Sequence, residues 1–457
     1  MDGIYLHNTL SGRRELFAPQ NPRRATMYVC GPTVYGPAHV GNARPAAVFD
    51  LMFRLLRRRF GENAVVYARN ITDIDDKIIA AAAEGGEPAI VVARRWRDVY
   101  RQDMRALAVL PPTTEPHATD YVPQIIAMIE TLLQKGNAYF AENHVLFYVP
   151  SFSDYGALSN RRTEDMLAGA RVEVAPYKKN AADFVLWKPS ADDAPGWESP
   201  WGRGRPGWHI ECSAMAAECL GEEIDLHGGG QDLIFPHHEN EIAQSRCAHG
   251  CAALAKFWMH NGHVTMDGGK MSKSLGNVRL LCDALAQFPG EAVRYALLSA
   301  HYRRPLHWGG QLLEDAKAAL DRLYRALGES SGENNGGEDG EITAALCDDL
   351  NTPKAFALLH EFAGGANKGN AAQRKKLFTG GKLMGFFNVS TEQWFQHAGA
   401  KTSGAQFSEE QIAALVEERR LARLAGDFAA ADAARDKLAA GGVALEDSAA
   451  GTVWRRK

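Results

Sequence analysis

The stretch MYVCGPTVYGPAHVGNARP, residues 27–45, decides how the N-terminal part of this chain folds. Its first four residues, MYVC, are short and apolar, which is typical of a buried strand. A loop rich in glycine and proline follows, and residues 46–60 then repeat apolar side chains at helical spacing. Residues 64–69 (AVVYAR) predict the next strand. Strand, crossover helix and strand form a βαβ unit, so the sequence predicts an α/β fold with a parallel sheet covered by helices.

Beyond this unit the α/β pattern continues and then gives way to helices. Residues 223–227 and 256–260 predict further strands of the same sheet. The span 116–206 carries its own helix and strand signals, and we predict that it is an insertion. Residues 311–327 and most of 342–390 are apolar at helical spacing and predict a small helical bundle.

The C-terminal tail predicts two helices and a hairpin. Ser408 and Gln411 form a capping-box pattern at the start of the first helix. The second helix is predicted from near Asp427 to a Gly-Gly stop. Residues 443–446 and 452–456 predict a closing hairpin.

Length, composition and charge exclude several classes of protein. At 457 residues the chain exceeds the ~250–300 residues at which a single core stops growing, so several domains are expected. Stretches rich in small polar residues at 328–341 and 398–407 are predicted linkers. No apolar run approaches the ~18 residues that span a bilayer, so no membrane association is expected. The net charge of −4 argues against a purely charge-driven nucleic-acid binder.

The cysteines and the N-terminus bear on the compartment. Seven cysteines are few for this length and odd in number, so they do not indicate a disulfide framework. Residues 1–17 contain no apolar segment behind basic residues, and no secretory signal is predicted. Both observations favour the cytoplasm.

The loop at 32–45 is the first candidate site. Open parallel sheets bind ligands where their strands end, and helix N-termini favour phosphate through free N–H groups. His39 can donate to a phosphate oxygen, Gly41 permits close backbone approach, and Arg44 adds positive charge. The alternative is a turn that only connects two elements.

A second candidate is GGKMSKSLGN, residues 268–277. Lys270 and Lys273 lie three residues apart and can bring two ammonium groups to a polyphosphate. The alternative is a solvated basic turn, which a lone K-x-x-K pattern favours. The five residues KMSKS in succession are rare by chance.

Thiols and imidazoles suggest a metal site. Pro236 suits the first position of a helix, on which His237 and Glu241 share a face. Cys30 and Cys212 can add two sulfurs, and such a donor set suits Zn²⁺.

Two alternatives to this metal site remain open. His238 competes with His237, and His209 is also near in sequence. Cysteine and histidine are also common as packed core residues, and no C-x-x-C pattern is present here.

Several motifs together carry a resemblance to a known family. HVGN at 39–42 with KMSKS at 270–274 resembles the two signature motifs of class I aminoacyl-tRNA synthetases, with Asn42 in place of the usual final histidine. Five longer motifs resemble the cysteinyl-tRNA synthetase family: CGPTVY, NITDIDDK, FVLWKP, PGWHIECSAM and HGGGQDLIFPHHENEIAQS. Similarity runs from Tyr28 to the terminal WRRK.

The resemblance implies a domain plan within the α/β class. The implied boundaries are 1–115 for the first half of a Rossmann-like catalytic domain, 116–206 for an inserted connective domain, 207–263 for the second half of the catalytic domain with the zinc site, 264–312 for the KMSKS loop and stem-contact region, 313–397 for an α-helical bundle, and 398–457 for a linker and a small C-terminal anticodon-binding domain.

The resemblance also implies the site residues. One zinc ion is assigned to Cys30, Cys212, His237 and Glu241. The implied catalytic residues are His39, Gly41, Asn42, Lys270 and Lys273. Those implied to bind the amino acid or ATP are Thr33, His39, Trp208, Asp232 and Lys273. The five remaining cysteines match no ligand position.

The implied reaction has two steps. The cysteine carboxylate attacks the α-phosphate of ATP, which is expected to carry Mg²⁺, and gives cysteinyl-adenylate and pyrophosphate. A terminal ribose hydroxyl of tRNA(Cys) then takes the cysteinyl group. Zinc has a physical rationale here, because an apolar pocket separates near-isosteres such as cysteine and serine by only ~10–200-fold.

Recognition of tRNA is expected in the tail. From residue 401 onward the chain has nine Lys or Arg and nine Asp or Glu, so net positive charge does not predict RNA binding by the tail. Unpaired RNA bases are bound by stacking and edge hydrogen bonds, for which Arg423, Asp432, Asp447 and Trp454 are candidates. The alternative is an ordinary exposed helix with a basic end.

Three other functions are weaker alternatives. Cysteine ligases of mycothiol synthesis resemble the same catalytic domain but lack the tail that this chain has. Synthetase-like proteins without catalysis commonly lose the lysine loop or the first motif, and both are present here. A zinc hydrolase would need H-E-x-x-H in place of HxxxE. We expect a monomer.

Overall fold

The computed structural model describes residues 3–160, 175–266, 269–270, 279–328, 340–397, 407–448 and 451–456. The strands are β1 Ile4–Asn8, β2 Arg13–Phe17, β3 Ala25–Val29, β4 Val65–Arg69, β5 Ala138–Ala141, β6 His144–Phe147, β7 Phe184–Pro189, β8 Gly204–Pro206, β9 Ile224–Gly230, β10 Ala255–Asn261, β11 Val264–Met266, β12 Gly269–Lys270, β13 Leu306–His307, β14 Val443–Ser448 and β15 Gly451–Arg456. The helices are α1 Val40–Phe60, α2 Asp76–Gly85, α3 Ala89–Ala106, α4 Val122–Gln134, α5 Trp208–Leu220, α6 Glu239–His249, α7 Leu281–Gln287, α8 Gly290–Leu298, α9 Gly310–Leu327, α10 Gly340–Cys347, α11 Thr352–Asn367, α12 Ala371–Leu383, α13 Thr391–His397, α14 Glu409–Leu424 and α15 Phe428–Ala440.

A parallel four-stranded sheet forms the centre of the N-terminal part. Its strands lie in the order β10–β9–β3–β4, and each neighbouring pair is parallel. Every residue of β3 is buried, as expected for a strand covered on both faces. The four strands predicted from the sequence are confirmed, with ends shifted by at most three residues.

The crossover helix α1 begins earlier than predicted. Helical spacing of apolar residues predicted the helix over 46–60, yet α1 starts at Val40 and runs through Pro45. His39 is its N-cap, with extended backbone angles of φ −103° and ψ 166°. The earlier start places Gly41 and Asn42 in the first helical turn, at the carboxyl end of the sheet.

A second, antiparallel sheet forms within the span 116–206. Its strands lie in the order β5–β6–β7–β8, and α4 packs beside them. Apolar residues of this unit share a core with Ile210 and Ala214 of α5 and with Ala243 of α6. The sheet therefore supports the two helices on which the metal-ligand candidates Cys212 and Glu241 lie.

A short third sheet adjoins the parallel one. Its order is β12–β11–β13, with β11 antiparallel to β12 and parallel to β13. It carries the start of the KMSKS segment, because Lys270 is the last residue of β12.

The C-terminal part is helical, as predicted. The helix predicted at 311–327 is α9, and α10 to α12 occupy most of the predicted helical region at 342–390. Most of both predicted linkers, 328–341 and 398–407, lies outside the described residues. None of the described helices is long and apolar enough to cross a membrane.

The tail also folds as predicted. Ser408 and Gln411 form the capping box of α14, and α15 begins after Asp427. Strands β14 and β15 pair as an antiparallel hairpin. A small core joins these elements through Ile412 and Leu438, which are fully buried.

Candidate functional site

A cavity of about 370 Å³ opens where the strands of the parallel sheet end. The end of β3, the start of α1 and the segments after β9 and β10 form its walls, which is where open α/β sheets bind ligands. Seven of the residues singled out from the sequence line it: Cys30, Thr33, His39, Gly41, Asn42, Trp208 and Asp232. Five of them lie within residues 30–42, and the fold brings Trp208 and Asp232 to the same site.

The first signature motif lies on the wall formed by α1. The His39 backbone N–H donates to Asn42 Oδ1 over 3.1 Å, so the Asn42 side chain caps the helix. This contact uses the Asn42 carbonyl oxygen, and Asn42 also lines the cavity. In the first helical turn the Val40 N–H donates to the Arg279 carbonyl and the Asn42 N–H donates to the His39 carbonyl, while Gly41 and Asn42 line the cavity near the positive end of the helix.

Arg44 does not supply charge to the cavity, and the sequence prediction for it was wrong. Its side chain is completely buried and donates to backbone carbonyl oxygens behind the cavity wall. Arg44 lies five residues beyond the N-cap, inside the helix. The helical backbone therefore sets the direction of its side chain, whatever the sequence distance to the loop.

The second signature motif approaches the same cavity through β11. Gly262, His263 and Val264 line the cavity, and Thr265 of β11 pairs with Lys270 of β12. The backbone of Lys270 is described, while Lys273 lies outside the described residues.

The four residues predicted as metal ligands converge beside the cavity. Cys30 Sγ lies 3.7 Å from Cys212 Sγ and 3.3 Å from Glu241 Oε1. His237 Nε2 lies 3.0 Å from the same carboxylate oxygen. One donor atom from each residue falls within 4.8 Å of the others, and only Cys30 is not fully buried.

The backbone around His237 differs from the prediction. Pro236 follows a cis peptide bond and is not the first residue of a helix. Residues Ile234–His238 form a wider turn, interrupted by the extended Phe235, and the regular helix α6 starts at Glu239. The four-residue spacing still brings His237 and Glu241 into contact.

A second donor set overlaps the first. Cys30 and Glu241 also converge with His227 and His238, and His227 Nε2 lies 2.8 Å from Glu241 Oε2. His209 is in neither set, but its Nδ1 lies 2.9 Å from His237 Nδ1. Sequence reasoning missed His227, although its place near the end of a predicted strand was a usable signal.

The pKa shifts in this cluster favour the anionic forms of Glu241 and Cys212 but the neutral form of the Cys30 thiol. Burial opposes ionisation of Glu241, but His227 and His237 hold its pKa well below the usual range. A hydrogen bond from Cys30 lowers the pKa of Cys212 to about 6, whereas burial raises the pKa of the Cys30 thiol. Thiolate, imidazole and carboxylate are the ligand types of Zn²⁺.

The residues proposed for tRNA lie on several elements of the tail. Arg423 is in the last turn of α14, and Asp432 of α15 pairs with Arg435 over 2.9 Å. Trp454 of β15 packs against the small core of the tail. Asp447 pairs with Thr452 across the hairpin through the backbone.

Family models match both parts of the chain. The "tRNA synthetases class I (C) catalytic domain" matches residues 16–318, and the "DALR domain" matches residues 341–387. A methionyl-tRNA synthetase of Mycobacterium tuberculosis in complex with methionyl-adenylate has a similar fold, with a TM-score of 0.56, 17% identity, and coverage of 79% of this chain and 89% of that one. Fold and site thus define a class I tRNA synthetase.

Curated relatives identify the family within that class. A cysteine--tRNA ligase of Parvibaculum lavamentivorans is 57% identical over 461 residues, which cover 99% of this chain and 97% of the relative. One from Xanthomonas campestris pv. campestris is 56% identical over 459 residues and covers 99% of both chains. The chain belongs to the cysteine--tRNA ligase family.

Proposed function

We propose that this ligase activates cysteine with ATP, transfers it to tRNA(Cys), and selects the substrate through one zinc ion held by Cys30, Cys212, His237 and Glu241. The observation that carries the proposal is the convergence of these four donors at a cavity that also contains the first signature motif. When bound, the zinc ion supplies a ligand position for the substrate sulfur, and a soft thiolate competes for it better than a neutral hydroxyl.

The chain's own residues would hold the amino acid. The Trp208 ring stacks on His237 with 4.3 Å between ring centroids, and 40% of Trp208 stays exposed toward the cavity. The exposed ring face can cover the substrate side chain. Asp232 is exposed and lines the same cavity, so its carboxylate can pair with the substrate ammonium group, and Thr33 also lines the cavity.

The first chemical step would take place at the start of α1. The cysteine carboxylate attacks the α-phosphate, and the bond from that phosphate to pyrophosphate breaks. His39, the Gly41 N–H and Asn42 stabilise the charge that spreads over the α-phosphate. Lys270 and Lys273 neutralise the departing pyrophosphate, with Mg²⁺ on the ATP.

The replacement of Cys212 by serine tests the zinc assignment. Cys212→Ser removes one of two sulfur donors, so we expect zinc content per chain and cysteine-dependent ATP–pyrophosphate exchange to fall together, each by about 10-fold or more. Zinc is measured by elemental analysis and exchange with radiolabelled pyrophosphate on the same sample.

Cys282→Ser is the matched control, because Cys282 is an exposed thiol outside both donor sets. It should keep full zinc and full exchange. A Cys212→Ser enzyme that lost zinc but still preferred cysteine to serine as before would refute selection through the metal.

We propose three further features of this ligase. It acts as a monomer in the cytoplasm. Its tail reads the anticodon of tRNA(Cys) through Arg423, Asp432, Asp447 and Trp454. Its domain boundaries are those given in the sequence analysis, and residues 328–341 and 398–407 are linkers.

A further inference from the structure

We propose that Arg44 is a positioning residue for adenylate formation, because it fixes the strand pair that carries Lys270 against the helix that carries the first signature motif. The inference rests on the proposed role of Lys270 in binding the pyrophosphate part of ATP. It concerns a residue that touches neither the cavity nor the metal donors.

The guanidinium group of Arg44 binds four backbone carbonyl oxygens. Nη1 donates to Gly262 over 2.7 Å and to His263 over 2.9 Å. Nη2 donates to Arg304 over 2.7 Å and to His301 over 3.4 Å. The planar, five-donor geometry of arginine allows one side chain to join two separate segments in this way.

The setting of Arg44 is unusual for an arginine. Its side chain is completely buried, and no carboxylate among the described residues forms an ion pair with it. Burial lowers its pKa to about 10, so it remains charged at neutral pH. Only the carbonyl dipoles compensate this charge, and charge-assisted hydrogen bonds of this kind are stronger than neutral ones.

The four carbonyls belong to the segments that start β11 and β13. Gly262 and His263 directly precede β11, and Arg304 lies two residues before β13. The two segments are also joined by hydrogen bonds from Gly262 N to the Tyr302 carbonyl and from Leu306 N to the His263 carbonyl. Arg44 therefore joins the residues that immediately precede β11 to those that precede β13.

Gly262 is part of the same arrangement. A Cβ atom at this position would lie 2.6 Å from the Arg304 carbonyl oxygen and 2.9 Å from that of Arg303. Only glycine permits the two backbones to approach so closely. The approach gathers the carbonyl oxygens that the guanidinium group binds.

Two strands then connect Arg44 to Lys270. Thr265 of β11 faces Lys270 of β12 in the antiparallel pair. On the other flank of the KMSKS segment, Leu281 N donates to the Ala38 carbonyl over 2.9 Å and Val40 N donates to the Arg279 carbonyl over 3.0 Å. Backbone hydrogen bonds thus hold the residues after the KMSKS segment against the start of α1. The Arg44 side chain holds the strands before that segment against the same helix.

The consequence for the reaction follows from geometry. A displacement of about 1 Å of a group that acts on the transition state can cost ~10²-fold in rate. If β11 shifts relative to α1, the Lys270 backbone shifts with it, while the donors of the metal cluster and the amino-acid wall stay in place. The loss should therefore appear in kcat for adenylate formation and not in cysteine binding.

The test compares Arg44→Lys with a matched buried arginine. Lysine keeps the charge, but its single nitrogen cannot reach four carbonyls on two segments. We expect Arg44→Lys to lower kcat of cysteine-dependent ATP–pyrophosphate exchange by about 10- to 100-fold. The KM for cysteine, the zinc content, and the single-turnover transfer of cysteine from preformed enzyme-bound cysteinyl-adenylate to tRNA should stay within about 3-fold of the parent.

Arg294→Lys is the control. Arg294 is also completely buried and donates to the Leu107 and Met384 carbonyls, but it contacts Asp50 and does not touch the β11 or β13 segments. It should lower the melting temperature at least as much as Arg44→Lys does, with exchange kcat within about 3-fold of the parent. Equal exchange losses in the two variants at equal loss of melting temperature would overturn the proposal, and so would an equal fall in adenylate formation and transfer.

Two more variants keep the test decisive. Gly262→Ala places a Cβ atom against the Arg304 carbonyl without removing any charge, so it should cause the same selective loss of adenylate formation. It takes the place of Arg44→Lys if that variant does not fold. Lys270→Met separates this inference from the proposed function. If Lys270→Met keeps normal exchange, the proposed role of Lys270 is wrong. If it loses exchange while Arg44→Lys and Gly262→Ala do not, the positioning role is wrong.

Discussion

At the scale of single residues, Asp103 shows what burial does to a charge that has no partner. It lies on α3, is 8% exposed, and its Oδ2 atom has no hydrogen-bond partner among the described residues. Burial raises the pKa of this carboxyl to about 6. Because the folded pKa lies above the unfolded one, ionisation of Asp103 costs stability as the pH rises through that range.

We expect Asp103→Asn to stabilise the protein at pH 7.5 by about 1–2 kcal/mol, after allowance for partial solvation of the group. The gain should shrink at pH 5.0, where the parent carboxyl is largely protonated in the folded state. Melting temperatures at the two pH values measure both effects. Asp98→Asn on the same helix is the control, because Asp98 is exposed and paired with Arg97, and it should give no gain. A gain of equal size at both pH values would contradict the assignment.

The sequence could predict four residues that converge beside the cavity but not every residue of that cluster. Cys30, Cys212, His237 and Glu241 were accessible because their residue types and motif context point to zinc. His227 was missed, because its place near the end of a predicted strand does not by itself reveal the contact with Glu241. Arg44 was assigned to the wrong side of its helix, since its carbonyl partners lie more than two hundred residues away in sequence.

At the scale of elements, the tail formed by α14, α15 and the β14–β15 hairpin is a small unit with its own core. Its elements were predictable because capping and turn signals are local in sequence. Its contacts with the rest of the chain, where β15 packs near α13, were not predictable from such signals.

Removal of residues 405–457 should separate the two reactions. The cavity and both signature motifs lie outside this segment, so we expect cysteine-dependent ATP–pyrophosphate exchange to remain within about 3-fold of the parent. Charging of tRNA(Cys) should fall by at least about 10-fold, since stacking contacts to unpaired bases are worth ~1–3 kcal/mol each. Normal charging by the shortened chain would exclude a role of the tail in tRNA recognition.

A pair of point variants refines this prediction. Arg423→Ala should reduce kcat/KM for charging without any effect on exchange. Arg420→Ala on the same helix is its control, because Arg420 is exposed and paired with Glu417. Equal losses in the two variants would indicate a general effect of charge on the tail and not a specific contact.

At the scale of the whole molecule, buried carboxylates join the catalytic part to the helical bundle. Asp349 accepts hydrogen bonds from the His7 N–H over 2.9 Å and from the Tyr302 hydroxyl over 2.8 Å, and so ties β1 to the bundle. Glu291 of α8 accepts from the backbone N–H groups of Phe387 and Asn388 over 2.9 and 2.7 Å. No local sequence pattern predicts such contacts, because each partner comes from a distant element.

This connection matters because the two proposed steps need different parts of the molecule. Adenylate formation needs only the cavity, whereas charging also needs the tRNA to reach from the tail to the cavity. A change in the distance between the tail and the cavity should therefore affect tRNA charging but not adenylate formation.

Glu291→Gln tests this connection. The glutamine amide can accept at one atom only, so either the buried Phe387 N–H or the partly buried Asn388 N–H loses its partner, at a cost of about 1–3 kcal/mol where the N–H is cut off from water. We expect a lower melting temperature and, at a temperature where the variant is fully folded, a reduced ratio of charging to exchange. Glu314→Gln, which changes an exposed residue of α9, should alter neither quantity. If Glu291→Gln lowers charging and exchange in the same proportion, the contact stabilises the fold without controlling how the tRNA spans the molecule.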